Sequence, residues 1–406
     1  MATINGNATS ETLNGTSASD TIYGNGGNDT IRGNGATTGV GDLLYGGDGN
    51  DTIYVGNSGR ATAHGDAGND KIYGGTQTAN QEFLYGDAGD DEIHGNGGRD
   101  YIYGGTGNDE IHTGVDIAGS NGIGTVVDGG DGDDNIWSGG GISDLKGGAG
   151  DDIFHANEGL WTGSEMYNGG EGYDKIIADA SNQNIGIASI YRVEEISGNA
   201  FSNVNIQTKQ AASGSSTSLN LTGIKLVDIN IIKGQNGNDT ITLEGGSGSG
   251  NPLYARNDIV HGGNGNDSIY SGLGDDTLQG DAGDDLLVGG VGADLLTGGS
   301  GADTFRFTKL ADSLVGAADR ITDFSTTAGD KIDLSGIDAD EGLEGNQEFI
   351  FVGTDAFSGV AGELRTDLDA ETGYTHIYAD TNADLIADFE IVLTNGASLA
   401  ATDFIL

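Results

Sequence analysis

Gly86-Asp-Ala-Gly-Asp-Asp-Glu-Ile-His94 is the stretch whose reading decides the fold. Gly86 to Asp91 is a turn, and Glu92-Ile93-His94 is a very short strand. Nearly the same nine residues recur as Gly46 to Tyr54, Gly65 to Tyr73, Gly104 to His112, Gly129 to Trp137, Gly262 to Tyr270 and Gly280 to Val288. The shared pattern is G-G-x-G-x-D-x-U-x, with U apolar. Glycine supplies the φ > 0 conformations of the turn. Side chains alternate along the strand, so position 8 points inward while positions 7 and 9 point outward. One inward residue per strand cannot bury a core alone, so the repeats must stack.

This pattern resembles the calcium-binding RTX nonapeptide, and the resemblance covers about two thirds of the chain. It implies an all-β fold, a parallel β-roll or β-solenoid in which two nonapeptides make one turn and Ca2+ sits between successive loops of one edge. Carbonyl oxygens and a sixth-position aspartate form a hard-oxygen site without sulfur, which suits Ca2+.

The chain has 406 residues, with 63 Asp plus Glu against 16 Lys plus Arg, a net charge of -47. Loops stacked on one edge lie roughly 4.8 Å apart, and neighbouring aspartates repel by about 1 kcal/mol per pair even at the dielectric of water. The expected state is therefore unfolded without calcium and folded with it. Nucleic acid is an unfavourable partner at this charge. The single proline and 77 glycines suit tight repeated turns, and the absence of cysteine removes disulfides and thiol chemistry. Met1-Ala-Thr-Ile-Asn-Gly6 has neither the basic start nor the apolar core of a signal peptide. No segment is long and apolar enough to span a membrane as a helix.

Residues 1–177 read as a first roll. If loops alternate between two edges, the sixth positions of one edge are Glu11, Asp29, Asp51, Asp70, Asp91, Asp109, Asp134, Asp152 and Asp174. The other reads Asp20, Asp42, Ala61, Glu82, Asp100, Thr125, Ser143 and Glu165, and every spacing longer than nine falls on it. The expectation is one continuous calcium ladder and one longer, calcium-poor edge. That second edge has either drifted or carries a partner surface. The inward row, from Leu13 and Ile22 through Ile93 to Phe154 and Ile176, reads as core. Position 9 is rich in rings: Arg32, Tyr54, Tyr73, His94, His112, Trp137 and His155 on the ladder-edge strands, and Tyr23, Tyr45, His64, Tyr85 and Tyr103 on the other sheet. Such rows are ordinarily cross-strand packing; the alternative is a surface for sugar rings or a neighbouring subunit.

Residues 178–233 lack the Gly-Asp turns but keep strand-like runs (Ile187 to Ile196, Val204 to Thr208, Ser218 to Leu221, Leu226 to Lys233), and read as a non-repeat β connector. Residues 234–306 read as a second roll, with Asp239, Asp258, Asp267, Asp276, Asp285, Asp294 and Asp303 in the sixth position, so both edges should hold calcium. Residues 307–406 resemble the C-terminal domain of serralysin-type secreted metalloproteases in Asp319-Arg-Ile-Thr-Asp-Phe324, Gly329 to Gly336, Ala361 to Arg365 and Asp380 to Ile391. The final Asp403-Phe-Ile-Leu406 resembles an uncleaved type I secretion signal. Asp380, Asn382 and Asp384 have calcium-loop spacing, although Leu385 stands where the family usually has glycine. The expected metal ligands are the aspartates of the ladder edge except Glu11, together with Asp20, Asp42, Asp100, the second-roll aspartates and this trio.

An enzyme is not expected. No histidine is followed by glutamate, so the H-E-x-x-H of the resembling proteases is missing, and there is no G-x-S-x-G elbow. The resemblance implies export through a type I secretion apparatus and folding on extracellular calcium. The expected role is a bacterial cell surface layer or biofilm matrix component that self-associates. The alternatives are a soluble adhesin for cell-surface polysaccharide and a polysaccharide-modifying β-helix enzyme.

Overall fold

The computed structural model describes residues 2–35, 40–57, 59–77, 81–114, 124–139, 143–156, 165–208, 216–243, 257–340 and 342–406. Most of the insertions expected before Asp42, Ala61, Glu82, Thr125, Glu165 and Asp258 lie outside the described residues. The chain divides into two units, Met1–Ile206 with Ile224–Ile229, and Gln207–Gly223 with Asn230–Leu406. The fold is all-β, a parallel β-solenoid as the nonapeptide period requires.

In the first unit, strands alternate between two parallel sheets. One sheet runs from Thr3–Asn5 and Thr21–Gly26 to Glu165–Glu171 and Asn184–Tyr191. The other runs from Thr12–Asn14 and Thr30–Arg32 to Glu195–Ser197 and Lys225–Val227. Register is set by the inward residue: Ile22 lies opposite Leu44, and Ile93 lies between Ile72 and Ile111. A one-residue slip would turn every such side chain outward. Ile22, Ile31, Ile93, Ile111, Phe154 and Ile176 are fully buried. Each large-to-small change in that row costs about 2–5 kcal/mol.

Stacking continues where the turns lose their motif. Glu165–Glu171 pairs in parallel with Asn184–Tyr191, and Lys175–Ala178 with Glu195–Ser197. Inward Ile185, Ile187 and Ile196 keep the core filled. The period-2 burial survives there although the glycines do not.

The second unit repeats the plan. Ile259–Asn264, Thr277–Ala282 and Leu295–Ser300 stack in one parallel sheet, and Ser268–Leu273, Leu286–Val291 and Thr304–Arg306 in another. The C-terminal strands extend both sheets. Asp319–Ile321 pairs with Leu295–Ser300 and then with Phe389–Leu393; Lys331–Asp333 pairs with Thr304–Arg306 and then with Phe404–Ile405. Glu363–Leu368, Thr375–Asp380 and Phe389–Leu393 form an antiparallel meander.

Candidate metal centres along the turn edges

The sixth-position aspartates of the ladder edge join successive turns by one repeated bond. The Oδ1 of each accepts the backbone N–H of the equivalent residue one turn earlier. Glu11 donates to Asp29, Asp29 to Asp51, Asp51 to Asp70 and Asp70 to Asp91, at 2.6–2.7 Å. Asp91 donates to Asp109, Asp109 to Asp134, Asp134 to Asp152 and Asp152 to Asp174, at 2.8–2.9 Å. Asp174 then donates to Glu194 Oε2 at 2.7 Å, so Glu194 extends the ladder into the stretch read as a connector.

The second oxygen is left over. Oδ2 of Asp29, Asp51, Asp70, Asp91, Asp109, Asp134, Asp152 and Asp174 is buried and has no hydrogen-bond partner. It faces a main-chain carbonyl of the following turn. A β-carbon built on Gly46 would collide with Asp51 Oδ2 and with the Gly65 carbonyl oxygen together, and one on Gly65 would collide with Asp70 Oδ2 and the Gly86 carbonyl oxygen. Two acceptors converging with no donor between them need a proton or a cation. Burial pushes the carboxyls up accordingly: Asp51, Asp91 and Asp174 to about 6, Asp109 and Asp152 to about 7, Asp70 and Asp134 to about 8. An all-oxygen cavity with one buried carboxylate per turn fits Ca2+. Among the described residues no point gathers three or more acidic, histidine or cysteine side chains, so main-chain carbonyls must supply the remaining ligands.

The opposite edge keeps the bond and loses the second oxygen. Asp20 donates to Asp42 Oδ1 at 2.8 Å and Glu82 to Asp100 Oδ1 at 3.0 Å. Asp100 donates to the Thr125 hydroxyl at 3.3 Å, and Ser143 to Glu165 Oε2 at 2.6 Å. Asp20 itself is satisfied by donors. Thr16 gives its hydroxyl and N–H to Oδ2 at 2.6 Å each, and Ala2 gives its N–H to Oδ1 at 2.7 Å. These bonds, the Thr16 hydroxyl first, hold its carboxyl below the usual range.

Both edges of the second unit carry aspartate ladders. One runs through Asp239, Asp267, Asp285, Asp303 and Asp330 at 2.6–3.1 Å. The other runs through Asp258, Asp276, Asp294 and Asp319 at 2.7–2.9 Å. Asp319 and Asp330 are ladder members that the turn motif does not reveal, because no G-G-x-G-x-D precedes them. Their only sequence signal is an aspartate opening a strand. Asp319 Oδ2 is buried without a partner, and burial beside Asp294 raises its carboxyl well above the ordinary value.

The fifth position forms a second ladder of opposite sense on the outside of the turns. Asn50 donates its N–H to Asn28 Oδ1, Asn69 to Asn50 Oδ1, Asp90 to Asn69 Oδ1 and Asn108 to Asp90 Oδ1, at 2.9–3.1 Å. This accounts for the Asn or Asp at that position.

Asp380, Asn382 and Asp384 lie in one turn whose carboxylates already accept main-chain donors. Asp380 Oδ1 accepts from Ala383 at 2.8 Å and Oδ2 from Leu385 at 3.0 Å, while Asp384 Oδ1 accepts from Ile386 at 2.8 Å. Leu385 has φ 70°, the left-handed conformation for which glycine is the usual choice.

The outward rings form two continuous stacks. Tyr23, Tyr45, His64, Tyr85 and Tyr103 follow one another at centroid distances of 4.4–5.2 Å. Tyr54, Tyr73, His94, His112, Trp137 and His155 do so at 3.9–5.1 Å, with the Arg32 guanidinium 4.5 Å over Tyr54. Interplanar angles are 16° or less, so inner rings spend both faces on their neighbours. The histidines are held by carboxylates, His94 by Glu92 at 2.8 Å and His155 by Asp179 at 2.8 Å.

Two family models match the chain. The RTX calcium-binding nonapeptide repeat matches residues 5–36, 41–57, 55–78, 78–111 and 128–159. The peptidase M10 serralysin C-terminal model matches residues 237–406, a span that takes in the second roll as well as the end of the chain. No curated protein matches. Among solved structures, the AlgE6R3 subunit of the Azotobacter vinelandii mannuronan C5-epimerase is 30% identical, with 36% of this chain and 75% of that one covered and a TM-score of 0.27. The AlgE6R2 subunit of that epimerase is 28% identical, with 37% and 92% covered and a TM-score of 0.26.

Proposed function

We propose, for a chain that carries RTX calcium-binding nonapeptide repeats and a serralysin C-terminal region, a secreted structural role without catalysis. Its cofactor is Ca2+ in multiple copies. The chain leaves the cell unfolded through a type I secretion apparatus, folds on extracellular calcium, and serves as a self-associating component of a bacterial surface layer or biofilm matrix. The observation that carries this reading is the uninterrupted row of buried, unpartnered carboxylate oxygens from Asp29 to Asp174. A polar interior of this kind stays dry only when cations neutralise it. It ties the folded state to millimolar external calcium rather than to a substrate.

The ligands proposed are the ladder aspartates, with Asp42, Asp100, Asp258, Asp294 and the added Asp319 and Asp330. Asp380, Asn382 and Asp384 form a separate, weaker site. Bound calcium supplies charge neutralisation between turns; Gly46, Gly65 and their equivalents leave room for it. The ring stacks favour the structural reading over glycan adhesion. A sugar stacks on a ring face, and inner rings of the rows offer only edges.

Light scattering with negative-stain electron microscopy, from chelated to millimolar calcium, tests the proposal. Sheets or filaments that form with calcium and dissolve with EGTA are the expected result. A compact monomer at every calcium level overturns self-association.

A further inference from the structure

Glycine at the first position of each turn is not demanded by the backbone. The left-handed conformations belong to later positions, such as Gly47 (φ 103°) and Gly49 (φ 128°), and not to Gly46, Gly65, Gly86 or Gly104. Val55, Thr113, Ser138 and Ala156 occupy the same register position. Val55 donates its N–H to the Tyr73 carbonyl as Gly33 donates to Tyr54 and Gly74 to His94. Glycine is there for space. At Gly33, a built β-carbon would lie 2.6 Å from Asp42 Oδ2 and 2.6 Å from the Val55 carbonyl oxygen.

Wherever the first unit fills that space, the acid has gone. The turn of Val55 ends in Ala61, that of Thr113 in Thr125, that of Ser138 in Ser143 and that of Ala156 in Glu165. Each of these side chains is buried. Turns that begin with Gly15, Gly33, Gly74 or Gly95 end in Asp20, Asp42, Glu82 or Asp100. In the second unit, Ser271 is buried and its hydroxyl donates to the Gly289 carbonyl oxygen at 2.8 Å. Thr208 does the same to the Gly234 carbonyl oxygen. These carbonyls are the counterparts of Gly65 O. A hydroxyl proton takes the place where a cation would sit between carboxylate and carbonyl.

We infer that the first residue of each turn decides whether that rung takes a calcium ion, and that Val55, Thr113, Ser138, Ala156 and Ser271 are plugs. This rests on the calcium reading above and goes beyond it. The rung of Asp276 holds no ion although it keeps the aspartate, because Ser271 fills its cavity. Occupancy along the chain is thus written in position 1 as well as position 6.

Native mass spectrometry of the full chain over a calcium titration tests this. Gly104→Ala, which the backbone tolerates, should carry one calcium fewer than wild type, and Ser271→Gly should carry one more. If Gly104→Ala fails to fold, Ser271→Gly decides alone. Unchanged counts in these variants, with a wild-type chain that binds many ions, overturn the plug and leave the calcium roll standing. A wild-type chain that binds no calcium overturns both.

Discussion

The two edges of the first unit differ in one atom per turn. Both supply an oxygen to the N–H of the preceding rung, from Asp109 on one edge and from Thr125 on the other. Only the first adds a buried carboxylate oxygen with no donor. The inter-turn hydrogen bond is therefore the structural minimum of a rung, and the spare oxygen is the feature that makes a rung depend on a cation. An edge can give up the cation by substituting a hydroxyl, and the roll still stacks, because the inward row of isoleucines does not change.

Chelation is the widest test of that difference. At neutral pH the ladder edge holds a column of buried carboxylates that repel one another once calcium is removed. EGTA should abolish the β-sheet circular dichroism of the first unit. A spectrum that survives chelation unchanged would falsify the cation dependence of the ladder edge.

Acid should rescue part of what chelation removes. Asp70 and Asp134 are raised to about 8, and Asp109 and Asp152 to about 7, by burial, whereas an unfolded aspartate titrates near ~3.9. The folded, metal-free roll therefore binds protons that the unfolded chain does not. That stabilisation is fully present below about pH 4 and disappears as pH rises through 6 to 8. With EGTA present, more β signal should remain at pH 5 than at pH 8. With calcium present, protons compete, so the calcium midpoint should move to higher concentration at pH 5.5 than at pH 7.5. Equal spectra at pH 5 and pH 8 under EGTA would contradict the burial argument.

A paired substitution converts one edge toward the other. Asp109→Asn keeps an oxygen for the Asp91 N–H and replaces the spare anion with an amide that can donate to the Gly129 carbonyl. The metal-free chain should gain on the order of 2 kcal/mol, read from urea melts under EGTA, while the calcium-loaded chain loses one bound ion. Thr125→Val on the other edge loses a single 3.3 Å hydrogen bond. It should cost about 1 kcal/mol with or without calcium. If Asp109→Asn destabilises the metal-free chain, the spare oxygen is not the source of the dependence.

Much of this was legible in the sequence because the period is fixed. Nine-residue spacing placed Ile22, Ile93 and Ile176 inside, and alternation of turns separated Asp29 to Asp174 from Asp20 to Glu165. The ladder's continuation was not legible. Asp319 follows Asp294 by 25 residues, and its role depends on a strand pairing with Leu295–Ser300 that no local motif encodes. Residues 178–233 kept stacking on inward isoleucines after losing the glycines that announce a turn. The glycine at position 1 was read as a conformational choice. Only the packed turn shows that its missing side chain is the requirement, since Val55 sits there with ordinary backbone geometry.

The smallest effect belongs to the ring stacks, which run along both sheets and are indifferent to which edge holds calcium. Trp137 lies 4.5 Å from His112 and 3.9 Å from His155, inside the stack, with its faces covered. Trp137→Ala removes two ring contacts on an outer surface and should cost about 1 kcal/mol. That cost should be the same in calcium-saturated and in acid-stabilised, metal-free protein, because the rings touch no ladder residue. The same variant separates packing from assembly. If the row only packs, sheets or filaments form at the wild-type calcium concentration once the lost stability is allowed for. If ring edges make the contact between copies, assembly shifts to higher protein concentration while the monomer's melt moves by no more than that amount.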